Sequence, residues 1–221
     1  MIDQTAITYQ TVAARPSLRT AAVMDRFGID FETEPVVVAS SFALPLPQPC
    51  VVAFTGESGS GKSTLMRHAA AALDGPVVDL DALDLGERPL VDRLGGRVDD
   101  AIALLSKCGL AEARLMLRRP SELSEGQRYR FRLALAVDTL LQASGDNEND
   151  DGPAGWIVAD EFTATLDRTL ACVIARSVHR LVDAHGCGLL IATTHDDILP
   201  DLQPDVHVRC TLDGEPMIER L

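Results

Sequence analysis

Aromatic residues are scarce, at 4 % of the 221 positions. Leu, Val, Ala and Ile must therefore fill the core, and apolar residues at 46 % suffice for one. Positive charge is also short. Twenty Lys and Arg face thirty-three Asp and Glu, a formal net charge of −13. Such a chain repels nucleic acid at long range, because phosphate binding needs cations. The only local basic runs are Arg114–Arg119 and Arg128–Arg132. No cysteine pair has the C-x-x-C spacing: the five stand at 50, 108, 172, 187 and 210. Zinc binding and redox pairing thus have no pattern to rest on, and free, mostly buried thiols are expected. No basic region followed by an apolar run opens the chain, so no signal peptide is expected. No uncharged apolar stretch reaches about 18 residues, so no membrane span is expected. The expected location is cytoplasmic.

What is present reads as strands alternating with helices. Val36–Ser41, Cys50–Thr55, Val77–Leu80, Trp156–Ala159 and Leu189–Thr193 are short, apolar and strand-like. Pro45–Pro49 must be a turn or an edge. Helices are expected at about Leu18–Phe27, Ser63–Leu73, Asp99–Cys108, Ala111–Arg118, Glu125–Gln142 and Arg168–His185. In the last of these, Leu170, Val173, Ile174, Val178, Leu181 and Val182 form the expected buried stripe. Val206–Arg209 and Met217–Glu219 suggest a terminal hairpin. Residues 84–97 are loop-like, and the polar, acidic stretch at about 143–154 is expected to be an exposed, mobile loop. The order of elements predicts an α/β fold with a mostly parallel central sheet. All 221 residues are expected to form a single domain.

Two clusters carry the chemistry. Gly56, Glu57, Ser58, Gly59, Ser60, Gly61, Lys62, Ser63 and Thr64 match the phosphate-loop pattern between an apolar strand and a helix. Glycines let the backbone curl, so that several N–H groups point at phosphate oxygens, and the helix N-terminus adds its dipole. Lys62 is expected to reach the β- and γ-phosphates, and Ser63 to offer its hydroxyl to Mg²⁺. Further on, Trp156-Ile-Val-Ala runs into Asp160 and Glu161. A buried strand ending in two acids places them at the carboxyl edge of the sheet, beside the phosphate loop. Asp160 is then the second Mg²⁺ partner and Glu161 the group that orients and activates water. The expected ligands are Mg²⁺ and a nucleoside triphosphate; the loop alone does not say which P-loop NTPase this is.

Leu123-Ser124-Glu125-Gly126-Gln127 precedes a helix, Ala164-Thr-Leu-Asp167 follows Glu161, and Thr193-Thr194-His195-Asp196 follows a strand. With the phosphate loop and Asp160–Glu161, this ordered set resembles the ATP-binding-cassette ATPases over about Phe31–Asp197. The resemblance implies ATP as the nucleotide, and a P-loop NTPase fold with an N-terminal antiparallel β portion and a reduced helical subdomain at about 85–135. It also implies that Ser124, Gly126 and Gln127 contact the γ-phosphate held by a second copy, and that His195 is a catalytic residue touching the γ-phosphate of its own site. An aromatic residue upstream of the phosphate loop should stack on adenine. Phe31 stands at a fitting distance, with Phe42 the alternative. More narrowly, Asp160–Arg168 and Leu202-Gln-Pro-Asp205 resemble a group of stand-alone prokaryotic and phage-linked cassettes. One family feature is missing. No Gln occurs between Lys62 and Ser124, so the Q-loop glutamine is absent. Asp92 and Glu87 are alternatives for its place.

The resemblance implies a soluble Mg-dependent ATPase acting as an ATP-sandwiched, head-to-tail homodimer, with room for an unidentified protein partner. The alternatives are a nucleotide-binding subunit of a membrane transporter and a DNA-maintenance ATPase. The acidic charge, and the lack of heptads or paired cysteines between the two nucleotide motifs, weigh against the latter. A scaffold that binds ATP without hydrolysing it is opposed by the presence of Glu161 and His195.

Overall fold

The computed structural model describes residues 2–9, 15–31, 35–46, 50–144, 155–164, 166–212 and 214–221. The acidic stretch, apart from residues 143 and 144 at its start, lies outside them. Six strands form the main sheet. They are β3 (Val51–Thr55), β4 (Val77–Asp79), β5 (Trp156–Ala159), β6 (Gly188–Thr193), β7 (Val206–Arg209) and β8 (Met217–Arg220), in the spatial order β4-β5-β6-β3-β7-β8. All pairings are parallel except that of β7 with the edge strand β8. Strands β3, β5 and β6 are buried along their whole length. Their continuous apolar runs are what a parallel sheet covered on both faces requires. A separate antiparallel pair joins β1 (Ile2–Tyr9) to β2 (Val36–Leu44). The mostly parallel sheet with an antiparallel N-terminal portion is therefore as expected.

The helices sort onto the two faces. One core gathers α6 (Glu125–Ser144), α7 (Arg168–His185) and the short helices α3 (Leu90–Arg93), α4 (Val98–Lys107), α5 (Ala113–Met116) and α8 (Leu199–Leu202). The other packs α2 (Lys62–Ala71) and the antiparallel pair on the opposite face, around Phe42, Phe54 and Trp156. Phe42 lies in that core, 6.4 Å between ring centroids from Phe54. Helix α1 (Leu18–Phe27) begins with a capping box at Ser17 and ends on Gly28 in the left-handed region, yet buries no residue.

Four expectations needed correction. Strand β1 was not foreseen. The loop at 84–97 holds the four-residue α3. The helix expected over Ala111–Arg118 shortens to α5, because the Arg118 carbonyl accepts from Leu90 N–H at 3.0 Å and the chain turns away. The face of α7 is also rotated. Val173 is 52 % exposed, and Ala171 and Ala175 join Ile174, Val178, Leu181 and Val182 inside. All five cysteines are free; Cys172 is half-buried and the others are buried. No helix among the described residues is long and apolar enough to cross a membrane.

Candidate nucleotide site

Adjacent strands β5, β6 and β3 deliver three loops to one edge of the sheet, because the parallel register puts all their carboxyl ends together. Gly56 leaves β3 at φ 142°, and a Cβ there would lie 2.1 Å from the Cys210 carbonyl oxygen. Only glycine fits. Gly61, at φ 83°, starts α2 and leaves its first N–H groups free. Lys62 is buried, and its Nζ donates to the Glu57 carbonyl at 2.6 Å across the loop. The Ser60 hydroxyl is buried with no partner among the described residues. A curled backbone, a folded-over ammonium and an unpaired buried hydroxyl together fit a phosphate group.

Asp160 is fully engaged. Ser63 Oγ donates to its Oδ1 at 2.7 Å, and the Glu161 N–H donates to the same oxygen at 3.0 Å. Arg67 Nη2, from α2, donates to Oδ2 at 2.9 Å. The Ser63 hydroxyl and the Asp160 carboxylate are thus close enough to be bridged by one hard cation, and an all-oxygen donor set fits Mg²⁺. Glu161 is exposed, with its backbone at φ 48°. That left-handed turn is uncommon for a non-glycine residue and swings its side chain out of the strand direction. A cleft of about 400 Å³ opens between these groups, lined by Lys62, Ser63, Asp160, Glu161, Thr193 and Thr194, with Tyr9 at its edge.

The expected site residues divide into those gathered here and those held apart. The phosphate loop and Asp160–Glu161 converge on the cleft. His195 N–H donates to Thr193 Oγ1 at 3.1 Å, and the residue is exposed just outside the cleft lining. Arg168, at the start of α7, pairs with Asp197 and ties the loop after Glu161 to the His195 loop. Ser124, Gly126 and Gln127 do not line the cleft. Their local structure is a capping box: Gln127 N–H donates to Ser124 Oγ at 3.3 Å, and Ser124 N–H to Gln127 Oε1 at 3.0 Å.

Phe31 is half-buried and lines neither the phosphate cleft nor the cleft beside it. Tyr9 lines both. The second cleft, about 460 Å³, is walled by Val36–Ala39, Gly59–Gly61 and Glu215. Tyr9 was missed because β1 was missed.

Asp92 sits on α3 and is absent from the cleft lining. The charges of Asp160 and Glu161 reach another acid, Asp81. Leu80 N–H donates to the Val158 carbonyl at 2.8 Å, which carries the β4–β5 ladder one residue further and sets Asp81 beside the Asp160–Glu161 turn. Burial pushes the Asp81 carboxyl above the usual carboxylate range. The charges of Asp79, Asp160 and Glu161 add to this, and Arg132 opposes it. A short apolar strand running into acids was the signal for Asp81, as it was for Asp160.

No family model matches the chain. Among curated proteins it is similar to the macrolide export ATP-binding/permease protein MacB of Burkholderia cenocepacia, 29 % identical over 82 % of this chain and 30 % of the relative. MacB of Burkholderia lata matches to the same degree, 29 % over 82 % of this chain and 29 % of the relative. The chain thus spans about 30 % of the length of these relatives. Among solved structures, the ATP-binding cassette MJ0796, a dimer bound to ADP and Pi, has a TM-score of 0.64 at 17 % identity, covering 100 % of this chain and 99 % of that one. The cassette MJ1267 in its ADP conformation has a TM-score of 0.62 at 20 % identity, over 84 % and 85 %. CbiO1 of Clostridium perfringens, part of the transporter complex CbiONQ, gives 0.60 at 19 %, over 82 % and 80 %. The resemblance carried by the ordered motifs is borne out at the level of fold, and the chain has the architecture of an ATP-binding-cassette ATPase.

Proposed function

We propose that the chain binds Mg-ATP in the cleft and hydrolyses it, with the second half of the site supplied by another copy. The observation that carries this is the Ser63–Asp160 hydrogen bond at 2.7 Å, in a cleft that also holds Lys62 and Glu161. Backbone N–H groups of residues 59–64 and the Lys62 ammonium hold the phosphates. Tyr9 flanks the base. Bound Mg²⁺, held by Ser63 and through Asp160, supplies charge neutralisation at the β- and γ-phosphates. Lys62 gives up its contact with the Glu57 carbonyl to reach those oxygens. Glu161 orients the attacking water and accepts its proton, while the Thr194–His195 loop closes over the γ-phosphate. Positioning and electrostatics supply most of the rate in such reactions. Residues 123–127 lie away from this cleft, so a complete site needs those of a second copy.

The decisive experiment compares Lys62→Ala and Glu161→Gln with the parent. Lys62→Ala should lose ATP binding or turnover. Glu161→Gln should keep ATP binding and lose turnover by about 100-fold or more. Hydrolysis by Glu161→Gln equal to that of the parent removes Glu161 from the base role.

The similarity to MacB and CbiO1 favours a second reading, in which the chain is the nucleotide-binding part of a membrane transporter. The absent Q-loop glutamine speaks for a stand-alone enzyme. Strong ATPase activity of the purified chain alone favours the stand-alone reading, and co-purification of a permease favours the transporter.

A further inference from the structure

Helix α6 meets the carboxylate pair on two sides at once. Tyr129 and Arg132 are three residues apart and share one helix face, about one and a half and two turns from Ser124. The Tyr129 ring packs edge-on against Phe162, the residue after Glu161, with centroids 5.8 Å apart at 73°. Arg132 Nη1 lies 3.7 Å from Asp81 Oδ1, in the turn that follows β4, the strand paired with β5. One helix face therefore touches both chain segments that flank the catalytic carboxylates.

The polar groups of this junction are unfinished. Arg132 Nε and Thr163 Oγ1 are buried with no hydrogen-bond partner among the described residues, and Tyr129 Oη, buried likewise, has only the Thr163 backbone beside it. A buried donor left unpaired is destabilising. Two of them and the Tyr129 hydroxyl at one contact describe an arrangement that gains from a small shift. Asp81 is the carboxylate at hand, and its charge acts on the Tyr129 hydroxyl, which burial already holds well above the usual tyrosine range. A half-exposed ion pair at 3.7 Å contributes little by itself. Its importance lies in what it connects.

We propose that Asp81 is a positioning residue on which Tyr129 and Arg132 close when nucleotide is bound, locking helix α6 against the Asp160–Glu161 turn. This link rests on the reading of the cleft as an ATPase site. Closure pairs the orphaned donors only in the nucleotide-bound arrangement. The junction thereby converts site occupancy into the position of Ser124–Gln127.

Removing the Tyr129 hydroxyl separates this from a merely structural role, because the two readings differ in sign. The test measures kcat and KM for ATP, and the melting temperature without nucleotide, for the parent, Tyr129→Phe, Asp81→Ala, Arg132→Gln and the Asp81→Ala/Arg132→Gln double variant. Tyr129→Phe should raise the nucleotide-free melting temperature, since a buried hydroxyl with only the Thr163 backbone beside it is gone, and still lower kcat. Asp81→Ala and Arg132→Gln should each lower kcat about tenfold, with KM within about twofold, an amount equal to ~1.4 kcal/mol of transition-state stabilisation. The double variant should be no worse than the poorer single one, as for two members of one link. Additive losses, an unchanged kcat in Asp81→Ala, or a fall in melting temperature and kcat together in Tyr129→Phe would overturn the proposal alone. A parent that neither binds nor hydrolyses ATP overturns the ATPase reading, and this proposal with it.

Discussion

Single residues at the end of β3 bear loads that their types explain. Gly56 stands at φ 142° with its Cα facing the Cys210 carbonyl. Gly56→Ala places a methyl group against backbone that cannot swing aside as a side chain would. The expected cost is about 3 kcal/mol, seen as a fall of roughly 6–12 °C in melting temperature. Scanning calorimetry checks this, and a fall under ~2 °C would show that the strand ends can separate. Beside it, Thr55 Oγ1 and the buried His207 Nε2 lie 2.8 Å apart. Burial first, then Arg209, lowers the His207 pKa below the ordinary histidine value, with Asp196 and Glu219 opposing. The folded state therefore resists protonation more than the unfolded chain. The stability contribution is present above about pH 6.5 and is lost as pH falls through and below that value, because the unfolded state then binds more protons. His207→Gln keeps a partner for Thr55 and should flatten the loss of stability between pH 7 and pH 5. His185, lowered by burial and then by Lys107, keeps a residual slope. An unchanged pH profile in His207→Gln would refute the assignment.

At the scale of elements, Ser124 serves helix α6 first. It is the N-cap of α6, and its reciprocal bonds with Gln127 satisfy two end groups. Loss of the cap alone in Ser124→Ala costs about 1 kcal/mol and should leave turnover intact. If Ser124 also meets the phosphate of a second copy, turnover should fall more than tenfold while melting drops only about 2–4 °C. Steady-state kinetics beside calorimetry distinguish the two. Elements of this kind were legible because their signals are local. The glycine pattern of the phosphate loop, the apolar run ending in Asp160–Glu161 and the capping sequence at Ser124 each lie within ten residues. What escaped depended on distant partners. Strand β1 carries a register shift between Ile7 and Thr8, which breaks its period, and its partner β2 lies beyond the inserted α1. With β1 went Tyr9. The face of α7 was misjudged because burial there favours small Ala171 and Ala175 over Val173, a matter of how closely the helix approaches its neighbours.

For the whole molecule, the distribution of charge matters more than its sum. Residues 84–132 contain ten of the twenty basic residues and eight acidic ones, whereas the rest of the chain has ten basic and twenty-five acidic. The helical region is therefore slightly cationic on an otherwise acidic chain. At physiological ionic strength the screening length is about 8 Å, so charges on facing surfaces outweigh the overall repulsion between two copies of net charge −13. In the proposed head-to-tail arrangement the α6 start of one copy would lie over the nucleotide cleft of the other, cationic region against acidic half with ATP between. Without nucleotide that contact lacks its central ligand. The Glu161→Gln variant, which should retain ATP, is accordingly expected to double in mass in light scattering when Mg-ATP is added. The Lys62→Ala variant should stay at the mass of the single chain. Raising salt toward 1 M should weaken the ATP-bound dimer, as the facing charges are screened over about 3 Å. A Glu161→Gln protein that binds ATP and yet remains a monomer at every salt concentration would leave residues 123–127 without a phosphate to meet, and the shared site would have to be abandoned.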